Sequence, residues 1–185
     1  ILIGEIRDRE TAESAVEASL TGHLVLSTLH TNSAPETITR LLDLELDPMN
    51  FADSLLGIVA QRLMRTLCDS CKTPYTADAD EVEHLARAYG KEEFDQLGVD
   101  PANLTLYRPV GCDRCGSTGY RGRTGIHEVL VATPEMHKAI ANRAPVGELR
   151  ALAHEQGMHF LMQDGIAKVV AGQADFTQLR KVTAE

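Results

Sequence analysis

The sequence predicts an α/β fold, and three observations carry that prediction. Two short apolar runs, Ile1-Leu2-Ile3 and His23 to Leu29, alternate with segments of helical periodicity. Each run ends in polar residues: Glu5, Arg7 and Asp8 after the first, and Ser27, Thr28, His30, Thr31 and Asn32 at the second. Beyond the carboxyl ends of strands is where ligands bind in open parallel sheets. Third, two C-x-x-C pairs, Cys68/Cys71 and Cys112/Cys115, bracket forty residues and predict a metal-organised segment.

Residues 1–5 read as a buried strand. Asp8 can cap a helix running to about Leu20, with Gly22 as its stop signal. Residues 23–29 read as a second buried strand, too uniformly apolar to be half exposed. Ser33-Ala-Pro-Glu36 has the form of a capping box with proline in the first turn, opening a helix that reaches about Leu46 before Asp47-Pro48 breaks it. Phe51, Leu55, Ile58, Val59 and Leu63 recur at helical spacing and predict another helix. Asp78 to Leu97 is acidic and helical in pattern, with a break near Gly90. Residues 104–110 and 124–131 read as short strands flanking a glycine-rich loop. From Thr133-Pro134-Glu135 the chain turns helical. Val146, Leu149, Leu152 and Ala153 mark a second helix of this tail, and Met158, Leu161, Met162, Ile166, Val169 and Val170 a third.

Composition narrows the function classes. Of 185 residues, 43% are apolar and 24% charged, which suits a packed globular chain. The net charge of −9 argues against broad binding to nucleic acid or anionic lipid, although Arg108, Arg114, Arg121 and Arg123 form one candidate basic patch. No apolar run approaches the length of a membrane span. The chain opens on Ile within a strand pattern, so it is expected to be a piece of a longer protein.

Each candidate site has a plainer alternative. Glu5, at the end of an apolar strand, can hold Mg²⁺ through water, or can simply cap the helix that follows. His30 is placed to touch a phosphate, or can be a structural histidine; His23 opens its strand, at the far end. The four cysteines suit tetrahedral Zn²⁺, with Gly111, Gly116 and Gly119 permitting the tight turns of a knuckle. Four thiolates leave no open position, so such a zinc is structural, and the alternative is four reduced thiols without metal. Gly119 to Gly125 can grip an anion or a neighbouring subunit, but reads better as a turn leaving the knuckle with solvated arginines.

Taken together, these strings resemble the secretion and pilus assembly ATPases, that is, the type II secretion ATPase and the type IV pilus extension ATPase. G-E-I-R-D-R-E-T-A is similar to the family's Walker B segment, and T-G-H-L-V-L-S-T-L-H-T-N to its His box. R-L-M-R-T-L-C-D-S-C with G-C-D-R-C-G-S-T-G-Y-R-G-R-T-G-I-H-E resembles its tetracysteine zinc element, and M-Q-D-G-I-A-K-V-V-A-G its C-terminal helical signature. Retraction ATPases of the same superfamily generally lack the cysteines, which points to the assembly or secretion branch.

The resemblance implies the C-terminal part of a RecA-like P-loop NTPase core over 1–66, a zinc subdomain with return strands over 67–132, and a helical subdomain over 133–185. It implies that Glu5 is the Walker B glutamate and that His30, less directly His23, belongs to the His box around the nucleotide. Arg7 would link the strand end to neighbouring charges, and Cys68, Cys71, Cys112 and Cys115 would bind structural Zn²⁺. The implied parent is a cytoplasmic homo-hexamer, peripheral to the inner membrane, that uses ATP and Mg²⁺ and works with secretion or pilus platform proteins. No G-x-x-x-x-G-K-[ST] occurs in this sequence, so the chain alone is expected to be inactive. The long acidic stretch between the cysteine pairs has no role in this scheme.

Two rivals belong to other classes. A zinc-binding adaptor or chaperone-like module fits Cys112 to Gly119 loosely, but the position that should be glycine in a C-x-x-C-x-G-x-G repeat is Ser117. A zinc-ribbon nucleic-acid binder is disfavoured by the acidic charge and by only 4% aromatic residues.

Overall fold

Helix starts follow the local capping chemistry of the sequence. The structure is a computed structural model and describes residues 1–184. Asp8 opens α1 (Arg9–Leu20) by accepting the Thr11 N–H at 2.9 Å. Ser33 opens α2 (Ala34–Leu42), with its Oγ accepting the Glu36 N–H at 3.3 Å. Asp47-Pro48, expected only as a stop, also starts α3 (Pro48–Ser54), because Asp47 accepts the Asn50 N–H and Pro48 sits where no helical N–H is needed.

Beyond Leu55 the expected helix is absent: Gly57–Leu67 is a strand, β1. Its exposure alternates residue by residue, with Ile58, Ala60 and Met64 turned inward and Val59 and Leu63 outward. Leu55, Ile58, Val59 and Leu63 fit either period, and the β-branched Ile58-Val59 pair favours the strand. β1 is the hydrogen-bonded neighbour of a later strand, β4 (Tyr120–Val131). Between them lie β2 (Thr73–Thr76), α4 (Ala79–Tyr89), α5 (Lys91–Phe94) and β3 (Thr105–Arg108). The tail holds α6 (Pro134–Ala141), α7 (Val146–Glu155), α8 (Leu161–Val170) and α9 (Phe176–Thr183), the last not anticipated.

The chain forms two compact units, one of Ile1–Ala60 with Glu128–His159, the other of Gln61–His127 with the segment from Phe160 on. β1 and β4 each cross from one unit into the other. In the first unit α3 packs on α1 and α6, α2 on α7, and α6 on α7. Ile38, Phe51, Met136, Ile140 and Leu149 are buried there.

In the second unit β2 and β3 pair antiparallel, from Thr73 opposite Arg108 to Thr76 opposite Thr105. The acidic segment acquires a structural role here. Asp78 forms a reciprocal capping box with Glu81, and Leu85, Tyr89 and Phe94 enter the same core as Leu106, Ile166 and Leu179. Gln163 of α8, almost fully buried, donates to the Tyr89 carbonyl at 2.9 Å and to Glu93 at 2.6 Å. Burying side chains such as Leu85 and Phe94 contributes about 1.5–3 kcal/mol each.

The two N-terminal apolar runs are extended but not buried. They meet in a parallel bridge, Leu2 to Leu26. Leu2 is 81% exposed, Leu24 61% and Leu26 57%, so the expected pair of buried strands is corrected to an exposed pair. Their apolarity records what the segments are suited to meet; in this chain they bond to each other, with Leu2, Leu24 and Leu26 exposed and Ile3, Val25 and Leu29 half-buried.

Candidate functional site

Parallel pairing brings two polar ends together. Leu26 N–H donates to the Ile1 carbonyl at 3.0 Å, Ile3 N–H to Leu26 at 2.9 Å, and Ile6 N–H to Thr28 at 3.0 Å. Thr28 Oγ1 adds a bond to the Gly4 carbonyl at 2.6 Å. Because both segments run the same way, Glu5 and His30 arrive at the same end. Glu5 Oε2 meets Arg7 Nη2 at 2.5 Å, and Oε1 lies 3.2 Å from His30 Nε2. Glu5 keeps only 21% of its side-chain surface exposed, against 89% for His30. The hydrogen bond from Arg7 outweighs burial and holds the Glu5 carboxyl below the usual carboxylate range; Arg7 is raised in return. At neutral pH this end therefore presents an ionised carboxylate beside an exposed histidine ring, able to orient a water.

His23 does not join them. It sits at the start of its segment, where its N–H donates to the Ala18 carbonyl and its Nδ1 lies 3.2 Å from the same oxygen. It closes the C-terminal turn of α1. Sequence reasoning missed Glu128, an inward-facing acid between Ile126 and Leu130 on β4. Its Oε1 accepts the Ala34 N–H at 2.5 Å, deep in the first unit. The available signal was a carboxylate on the apolar row of a strand.

The four cysteines do meet. Their sulfurs all lie within 4.8 Å of one another. Cys68 and Cys112 are 4.0 Å apart, Cys71 and Cys115 3.9 Å, and Cys112 and Cys115 3.8 Å. A tetrahedron with metal–sulfur bonds of about 2.3 Å has edges of about 3.8 Å, so the set fits zinc. Backbone bonds shape both knuckles: Cys71 N–H to Cys68 O at 3.0 Å, and Cys115 N–H to Cys112 O at 3.1 Å. Cys68 N–H to Gly119 O at 2.9 Å ties one to the other. Gly119 is required there, since φ is +77° and a Cβ would fall 2.4 Å from Pro109 Cβ.

Amide donors favour thiolates in this cluster. Burial opposes ionisation of Cys115, yet N–H groups of Cys112 and Gly119 and the neighbouring thiols bring it down to about 6. Cys71 accepts from the Gly111 N–H, which favours the thiolate, but burial and the three other thiols together push it up to about 11. Of the expected basic patch, Arg108 stacks on the Tyr75 ring at 4.2 Å and Arg114 donates to Ser70 at 3.2 Å. Arg121 and Arg123 are exposed.

A family model described as "Type II/IV secretion system protein" matches residues 1–181. The chain is 47% identical over 186 residues to the type II secretion system protein E of Pseudomonas aeruginosa, covering all of this chain and 34% of that protein. It is 44% identical to the type II secretion system ATPase E of Vibrio cholerae, with the same coverage. It is 42% identical to the type IV pilus assembly ATPase PilB of Thermus thermophilus, again over all of this chain but only 19% of that protein. Among solved structures it resembles the ATPase DotB of Legionella pneumophila, with a TM-score of 0.61 and 21% identity over 98% of this chain and 37% of that one. That likeness concerns the fold. The chain thus spans about a third of the length of the type II relatives it matches.

Proposed function

Since this chain belongs to the type II/IV secretion system protein family, we propose that it is part of a hexameric motor ATPase that powers type II protein secretion or type IV pilus assembly. The observation that carries this reading is the meeting of Glu5, Arg7 and His30 at the shared end of two parallel segments. Glu5 is the Walker B carboxylate. Kept ionised by Arg7, it would hold Mg²⁺ through water and orient the attacking water. Bound Mg²⁺ supplies charge neutralisation at the phosphates. His30, exposed beside Glu5, would touch the γ-phosphate or sense its loss, and His23 would belong to the same box less directly.

Cys68, Cys71, Cys112 and Cys115 hold one structural zinc, supported by the four-sulfur geometry. Functionally, residues 1–66 supply the nucleotide-site part, 67–132 the zinc part and 133–185 the helical part. The parent works at the cytoplasmic face of the inner membrane with secretion or pilus platform proteins. No helix among the described residues is long and apolar enough to cross a membrane.

The phosphate-cradling P-loop sequence is absent from this chain, so the 185 residues alone turn over no ATP. The test compares Mg-ATP hydrolysis by the longer parent and by this chain at equal concentration. Turnover by the parent only is expected. Hydrolysis by the chain alone would refute the division of labour, and none by the parent would refute the ATPase reading.

A further inference from the structure

Glu128 is the one deeply buried carboxylate among the described residues, and the chemistry above does not use it. It lies on the inward row of β4 and is 3% exposed. A carboxylate is costly to bury unless it is hydrogen-bonded, and here one partner is the N–H of Ala34, the first residue of α2, at 2.5 Å. The first amides of a helix have no partner within it, and the positive end of the helix dipole favours an anion. The carboxylate therefore acts as a second cap, supplied from 94 residues away.

The same turn is held by three further bonds. Ser33 Oγ accepts from Glu36 N–H at 3.3 Å. Thr37 Oγ1 donates to the Ser33 carbonyl at 3.0 Å, and the Thr31 and Thr37 hydroxyls lie 2.6 Å apart. Thr31 is the residue directly after His30. We propose that Glu128 is a positioning residue: by fixing the start of α2 it sets the turn from Thr31 to Thr37 and so holds His30 against Glu5. This rests on the reading of Glu5 and His30 as part of the nucleotide site.

The test uses three variants of the longer parent. Glu128→Ala removes the acceptor, and Thr37→Val releases the same turn from its other side while keeping its volume. Ile140→Ala opens a cavity at a fully buried residue of α6, which packs on α3 and α7 in the same unit. Glu128→Ala and Thr37→Val lower kcat for Mg-ATP by about tenfold or more with KM within about twofold, the pattern for a contact that matters in the transition state. Ile140→Ala lowers the melting temperature and leaves kcat within about twofold. In the 185-residue chain, Glu128→Ala speeds hydrogen exchange of the Ala34 amide by about tenfold or more, while α6 and α7 keep their protection.

Unchanged exchange at Ala34, unchanged kcat in both turn variants, or an equal loss of kcat in Ile140→Ala would overturn the proposal. A wild-type parent that does not hydrolyse ATP would refute the functional reading instead; exchange at Ala34 would then still decide whether Glu128 holds the turn.

Discussion

Removing the metal from the four-cysteine cluster should cost the second unit much of its stability and leave the first largely intact. The four sulfurs join positions separated by the forty residues between Cys71 and Cys112. Treated as a cross-link, closing a loop of about 40 residues removes about 13 cal/mol/K from the unfolded chain, or about 4 kcal/mol at 25 °C. A domain of about 100 residues loses about 4–8 °C of melting temperature per kcal/mol, so the second unit should melt about 15–30 °C lower. The assay is calorimetry on the native chain and after chelation, with zinc quantified by mass spectrometry in both samples. Hydrogen exchange assigns the effect: α4 and α8 lose protection, while α1 and α2 keep it. One zinc per chain before treatment and none after, with an unchanged melting profile, would refute the claim that the metal organises this unit. A uniform loss across both units would refute its localisation.

Two further outcomes follow from particular contacts. Gly165→Ala places a methyl 2.1 Å from Leu179 Cδ1 and 3.1 Å from its Cγ, and Leu179 is fully buried. Overpacking of about 1–3 kcal/mol should outweigh the roughly 1 kcal/mol of helix propensity gained, giving a net destabilisation in urea unfolding; a stabilised variant would contradict this packing. The lowered pKa of Glu5 fixes a sign for the pH dependence. Its contribution to stability is present above the ordinary value of 4.5 and is lost as pH falls through the lower folded value. Unfolding measured between about pH 3 and 7 should therefore show an acid-side slope that Glu5→Gln reduces; an identical profile would show that Arg7 does not hold this carboxylate.

Helix starts were legible because capping is local. Asp8, Ser33, Asp78 and Thr133 each accept an amide three residues on, as their residue types and positions suggest. The cysteine cluster was legible because two C-x-x-C knuckles leave few other arrangements. β1 was obscured because its apolar residues satisfy both the helical and the strand period; Gly57, between α3 and Ile58, was the one available break. Glu128 could not be found by any local rule, since its partner Ala34 is remote in sequence and the pairing exists only once β4 and α2 are assembled. Apolarity of the runs at Leu2 and Leu26 predicted burial, but a sequence states only which surfaces suit a neighbour. The acidic segment was given no role because its charges dominate the pattern; Leu85 and Tyr89 of α4, with Phe94 of α5, carry its structural role.

The most direct test of the central claim is single-turnover ATP hydrolysis by the longer parent carrying Glu5→Gln, alongside equilibrium binding of the same nucleotide. If Glu5 is the carboxylate that orients water at the phosphates, the variant still binds Mg-ATP, while its hydrolysis falls by about a hundredfold or more, the size typical of losing a positioned general base. Hydrolysis at the wild-type rate would contradict the assignment and leave the meeting of Glu5, Arg7 and His30 as a structural contact.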